Sequence, residues 1–168
     1  MARIPDGQVS DELPGSQHNN LHRALANNDE MNVAFGVLAR AVHTASSVPH
    51  RTRELIVLRV SAITGSETEW GQHLPIAMGV GITLEQARAI RDGDFSMFTP
   101  EDRAVIEFGD AFDRLTVDDD IWDAAALFFS PQQMLELAMV AGVYGLACRI
   151  CVGLGVDIDE GKTKIADS

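Results

Sequence analysis

Apolar residues recur at intervals of three and four along most of the chain, a spacing that predicts helices. Leu21, Leu25, Met31, Phe35, Leu38 and Val42 follow it, with Asn27, Asn28 and Asp29 between two stretches as a turn and helix start. A helical hairpin beginning near Ser16 is the expectation. Pro49 opens the next segment, which runs from Arg51 to Thr64 and stops at Gly65. Ser66 starts another, and Gly79 and Gly81 break the chain after it. Thr83, with Glu85 and Gln86 behind it, caps a short helix that Gly93 closes. Thr99, Pro100, Glu101 and Asp102 then begin a helix expected to turn Val105, Ile106, Phe108, Phe112 and Leu115 inward. A further helix follows from Asp120, and Ser130 with Pro131 opens the last. No segment alternates convincingly as a strand does, so the pattern predicts a single all-α domain.

The final run, Leu137 to Val156, is apolar nearly all round, which an ordinary surface helix would not tolerate. It is expected to be central and shared between subunits. Arg149 and the interrupting Gly142, Gly145, Gly153 and Gly155 argue for a buried helix over a bilayer span. Residues 1–15, rich in Pro, Gly and acids, read as an arm that packs on a neighbour or frays, residues 16–156 as the helical domain and 157–168 as a tail. With 168 residues and 46% hydrophobic content, one core is expected. The net charge of −12 disfavours nucleic acid and anionic membranes as partners. The first fifteen residues contain no stretch like a secretory signal, so a cytoplasmic location is expected.

The chemistry concentrates between Arg51 and His73, in RTRELIVLRVSAITGSETEWGQH. Glu69 and His73, four residues apart, share a helix face. Glu54 must reach them from another helix, because Gly65 intervenes. A carboxylate beside an imidazole favours the imidazolium and orients the ring, as proton transfer near neutral pH requires. Glu54, Ser66, Glu69 and His73 stand at the spacing E-x11-S-x2-E-x3-H. This resembles the carboxymuconolactone decarboxylase and alkylhydroperoxidase D-like family, whose peroxidase branch carries E-x11-C-x2-C-x3-H. Both cysteine positions differ here, and Glu69 before His73 is closer to the decarboxylase branch. The resemblance extends from about Leu21 to about Val156, taking in RALANNDEMNVAF and LPIAMGVGIT.

The resemblance implies an oligomeric bundle of the alkylhydroperoxidase D-like type, a trimer or hexamer of about seven to eight helices per chain, and a cofactor-free enzyme acting on a small, carboxylated cyclic substrate. His73 would move the proton, Glu54 would set its protonation and Glu69 would orient it. Trp70 is a candidate for an apolar pocket wall, and the Gly71 carbonyl, freed by Pro75 four residues on, for a substrate or water acceptor. Arg149 and Tyr144 are candidates for substrate binding; for Arg149 a buried structural ion pair is the competing account. The other branch of the family implies a peroxidase or disulfide reductase as the alternative activity, and a non-catalytic oligomeric binding protein is a third.

Plainer readings compete at each position. Ser66-Glu67-Thr68-Glu69 is also an S-x-x-E capping box. Cys148 and Cys151 form a C-x-x-C that Glu136 precedes at the redox motif's spacing, but Gly155 stands where the His belongs, so buried thiols are expected. His18 and His22 lack a third ligand, Asp118 to Asp120 fit a helix cap, and the Gly79/Gly81 and Gly153/Gly155 pairs follow no strand. No metal site and no nucleotide site is expected.

Overall fold

The computed structural model describes residues 2–9 and 19–168. The expected helix start near Ser16 and the residue His18 lie outside these. Among the described residues there are eight α-helices and no strand: α1 (Asn20–Leu25), α2 (Asp29–Thr44), α3 (His50–Thr64), α4 (Glu67–Gly79), α5 (Leu84–Asp92), α6 (Pro100–Arg114), α7 (Asp119–Ala126) and α8 (Pro131–Leu154). A short 3-10 turn at Ile165–Asp167 follows.

The helix boundaries follow local chemistry. The side chains of Asn28, Ser66, Thr83, Thr99, Asp118 and Ser130 each accept a hydrogen bond from a backbone N–H of the first turn. Thr83 with Gln86 and Ser130 with Gln133 complete reciprocal capping boxes. Gly65 closes α3 in the left-handed region at φ 71°, a conformation that a side chain would strain, and so permits the immediate start of α4.

The core forms around α3, which packs against α4, α5, α6 and α8. Leu55, Ile56, Val57, Leu58 and Val60 are all fully buried, so α3 is covered on every side. Gly109 of α6 lets Ile56 approach so closely that an added Cβ would lie 3.0 Å from its Cγ2. α8 is the other long wall of this core, but it is not buried all round. Leu137, Val140, Ala141, Tyr144 and Cys148 face inward, while Leu135, Met139, Leu146 and Val152 form an exposed apolar stripe. By length and composition α8 could cross a membrane; half of its apolar window is packed inside the fold.

One inward expectation, that for Leu115, is corrected. Met31 and Leu38 lie on the exposed side of α2, because that helix buries only a narrow strip at Asn32, Gly36 and Val42. Leu115 is 90% exposed, since it ends α6 as a left-handed cap at φ 60° and projects beyond the helix face. The described part of the N-terminal arm, residues 2–9, packs on its own chain. Arg3 N–H donates to the Leu154 carbonyl (2.7 Å), and Gly7 lies so close against Ala26 that no Cβ would fit. The C-terminal tail folds over α4, with Ile165 N–H donating to Glu67 (2.7 Å) and Gln72 to Asp159 (2.6 Å).

Candidate active site

Gly65 turns α4 back against α3, and this brings the Glu54 carboxylate to the His73 ring: Nδ1 donates to Oε2 over 2.9 Å. Glu54 is completely buried and His73 is 8% exposed. Glu69 lies one turn before His73 on α4, with its Oε2 3.9 Å from Nε2, close enough for charge interaction and too far for a hydrogen bond. The three expected catalytic residues therefore converge. They open onto a cavity of about 570 Å³ between α2, α3, α4 and α8.

Ser66 caps α4 by accepting from Glu69 N–H, yet Glu69 does not complete the capping box. Its side chain turns inward instead, to His73 and to the Cys151 thiol, which donates to Oε1 over 3.8 Å. Ser66 supplies a structural cap and leaves the Glu69 carboxyl for the cavity.

The titrations are pushed apart. Burial alone would raise Glu54, but the hydrogen bond from His73 and the charges of His73, His50 and His43 outweigh it and hold the carboxyl below its ordinary value. Burial alone would lower His73, and the hydrogen bond and charge of Glu54, aided by Glu69, reverse the sign and raise it. Glu69 is raised by burial, which the charge of His73 and the Cys151 hydrogen bond offset only in part. The site therefore sets a lowered carboxyl at Glu54 and a raised imidazole at His73 beside a raised carboxyl at Glu69.

The remaining expected residues divide. Tyr144 lines the cavity, standing edge-on to His73 with ring centroids 4.7 Å apart, and its hydroxyl is hydrogen-bonded to His43 Nε2. Trp70 does not line it: the indole is fully buried in the core on another face of α4. Gly71 is likewise turned away, packed beneath the tail where an added Cβ would lie 2.9 Å from both Ile158 and Lys162. α4 runs unbroken through Pro75. Arg149 is corrected on two counts, burial and position. It lies on the exposed face of α8, donating to the Asp113 carboxylate (2.7 Å) and carbonyl (2.9 Å) across to α6, because the helix is apolar in composition but open on that side.

Among the basic residues of the cavity, sequence reasoning missed His43, His50, Arg53 and Arg40. His50 carried a signal, since it precedes Glu54 by four residues on α3, and its Nε2 donates to Oε1 over 3.1 Å. His43 and Arg40 come from α2, whose approach no local spacing announces. His43 is lowered to about 4, first by burial and then by the charge of His73. Arg53 is 7% exposed, anchored by a donation to the Val48 carbonyl over 2.6 Å. Cys148 and Cys151 are buried free thiols in α8, both pushed up first by burial and then by the charge of Glu69, Cys148 to about 12.

Residues 29–111, from α2 through most of α6 and including Glu54, Glu69 and His73, match the carboxymuconolactone decarboxylase family. That segment belongs to the family. The whole fold resembles solved structures at low sequence identity. A peroxidase-related protein described as an alkylhydroperoxidase AhpD core, from Ralstonia eutropha JMP134, superposes with a TM-score of 0.80 at 18% identity, over 95% of this chain and 93% of that one. A peroxidase-related protein from Silicibacter sp. TM1040 gives 0.80 at 16%, over 95% and 92%. The debrominase Bmp8, in a cysteine-to-alanine variant with 2,3,4-tribromopyrrole, gives 0.74 at 19%, over 84% and 78%. No curated protein sequence matches the chain. Within the matched segment, Ser66 and Glu69 occupy the positions at which the redox branch pattern has its two cysteines.

Proposed function

We propose that this carboxymuconolactone decarboxylase family member is an acid–base enzyme of the decarboxylase type, acting on a small, carboxylated cyclic substrate. The observation that carries this reading is the buried Glu54–His73 pair opening onto a cavity beside a raised Glu69. Arg40 and Arg53 line the same cavity and match a carboxylated ligand. In a decarboxylation the bond to the departing carboxylate breaks as carbon dioxide and its electron pair passes into the ring carbonyl as an enolate. Glu69, in its neutral form, donates a hydrogen bond to the enolate oxygen, and His73 delivers its proton to carbon. Glu54 remains an anion throughout and holds the charged imidazole in place. A proton from water then restores His73.

The thiol-dependent alternative draws no support from Cys148 and Cys151, whose burial and raised titration both work against a thiolate. The exposed stripe of Leu135, Met139, Leu146 and Val152 supports assembly with further copies of the chain.

The test is a thermal-shift screen of small cyclic carboxylic acids, followed by measurement of carbon dioxide release from the acids that bind. The expected result is turnover by the natural sequence that falls by about 10²–10⁴-fold in His73→Gln. Turnover that survives His73→Gln, or that appears only with peroxide, would overturn the reading.

A further inference from the structure

The cavity holds two histidines that proton transfer through His73 leaves unused, and both lie near Glu54. His43 lies in the last turn of α2, His50 is the first residue of α3, and Glu54 follows one turn later. One ring nitrogen from each histidine and one carboxylate oxygen of Glu54 lie within 4.8 Å of one another. We propose that His43, His50 and Glu54 form a binding site for a divalent transition metal, zinc foremost.

The donor set argues for the class of metal. Two imidazoles and one carboxylate suit zinc and its neighbours in the first transition row, whereas calcium and magnesium prefer oxygen alone. The site is also supported from behind. Glu54 directs Oε1 to His50 and Oε2 to His73, so a metal taking the first oxygen leaves the second fixed by the His73 hydrogen bond. His43 is steadied by Tyr144, which contacts it edge-on and through the hydroxyl. Such outer partners orient metal ligands wherever they are well defined. The side chain of His50 is 44% exposed at the mouth of the cavity. Bringing the three atoms from within 4.8 Å of one another to the roughly 3.4 Å separations of a tetrahedral site with bonds of about 2.0–2.1 Å needs a closure of no more than about 1.4 Å.

Three protein ligands leave a fourth position open, as in zinc sites that receive an exchangeable oxygen ligand. That position faces the cavity, where Arg40 and Arg53 also stand. The carboxylate of Glu54 offsets part of the charge of the two guanidiniums, and a carboxylate ligand would meet metal and guanidinium together. His73 is not among the ligands, so the site does not depend on the decarboxylase reading.

The test uses the full chain, stripped with chelator and titrated with zinc by calorimetry and with cobalt by its visible ligand-field absorption. The expected result is saturable binding of one ion per chain, weakened at least about 100-fold by His50→Ala and by Glu54→Gln. His73→Gln is expected to keep one-to-one binding with a smaller loss. His50 is exposed, so its replacement leaves the core intact. Absence of saturable binding, or binding indifferent to His50→Ala, overturns the proposal. Turnover lost in His73→Gln while cobalt still binds separates the fate of this site from that of the proton-transfer reading.

Discussion

The Glu54 carboxylate on α3 and the His73 ring on α4 meet over 2.9 Å across the turn at Gly65, and Glu54 has no exposure to solvent. The pair therefore titrates as a protein feature and not as two surface groups. By NMR, His73 is expected to titrate above its ordinary value of 6.5. In Glu54→Gln the supporting charge disappears while burial remains, so the titration should move below 6.5. A His73 titration unchanged by that substitution would show that the two groups do not interact as described.

The same shifts set a pH dependence of folding. His73 is raised in the folded state, so its contribution to stability is complete below 6.5 and fades as pH rises through the folded value. Glu54 is lowered, so its contribution is complete above 4.5 and fades as pH falls through the folded value. Glu69 is raised, so ionising it at higher pH opposes folding. Glu54 and His73 together favour the fold most strongly between 4.5 and 6.5, and Glu69 weights that window toward its acid side. Denaturant melts across pH check this, with Glu54→Gln expected to flatten the profile on both sides.

Glu136 holds the turn between α2 and α3. Its Oε2 accepts from Ser47 N–H (2.7 Å), the Ser47 hydroxyl (2.9 Å), the Ser46 hydroxyl (3.0 Å) and Val48 N–H (3.2 Å). Hydrogen bonds from Gln132, Ser47 and Ser46 take the carboxyl down to about 2. Glu136→Ala is expected to cost about 1–2 kcal/mol, in the range of a lost helix cap. The natural chain should lose this contribution as pH falls from 4.5 toward 2, visible as a lower melting temperature in acid.

Cys148 and Cys151 should resist modification. Both are buried and both are held protonated at neutral pH by burial and the nearby Glu69 charge. A thiol reagent added to the folded chain is expected to label neither, and both should react after denaturation. Prompt labelling of native protein would reopen the thiol-dependent alternative.

Most of the helix plan was legible because caps and stops act locally. Asn28, Thr83 with Gln86, Thr99 and Ser130 announce their own helices, and Gly65 and Gly93 end theirs. The Glu54, Glu69 and His73 constellation was legible from its spacing. What escaped was the identity of the faces. Trp70 and His73 lie three residues apart, yet one enters the core and the other the cavity, a distinction that depends on where α2 and α8 pack. Arg149 misled for the same reason: an apolar run of sequence conceals which side meets Asp113 and solvent. His43 could not be found because it reaches Tyr144, about a hundred positions along the chain, through tertiary packing alone.

Glu54 gives one oxygen to His50 at the mouth and the other to His73 inside. A single carboxylate thus serves two imidazoles carried by different helices, one at the rim and one within. Glu54 and His73 titrate as a coupled pair, whose steps belong to neither singly. A charged visitor that touches only the rim is then already felt in the interior before it has entered.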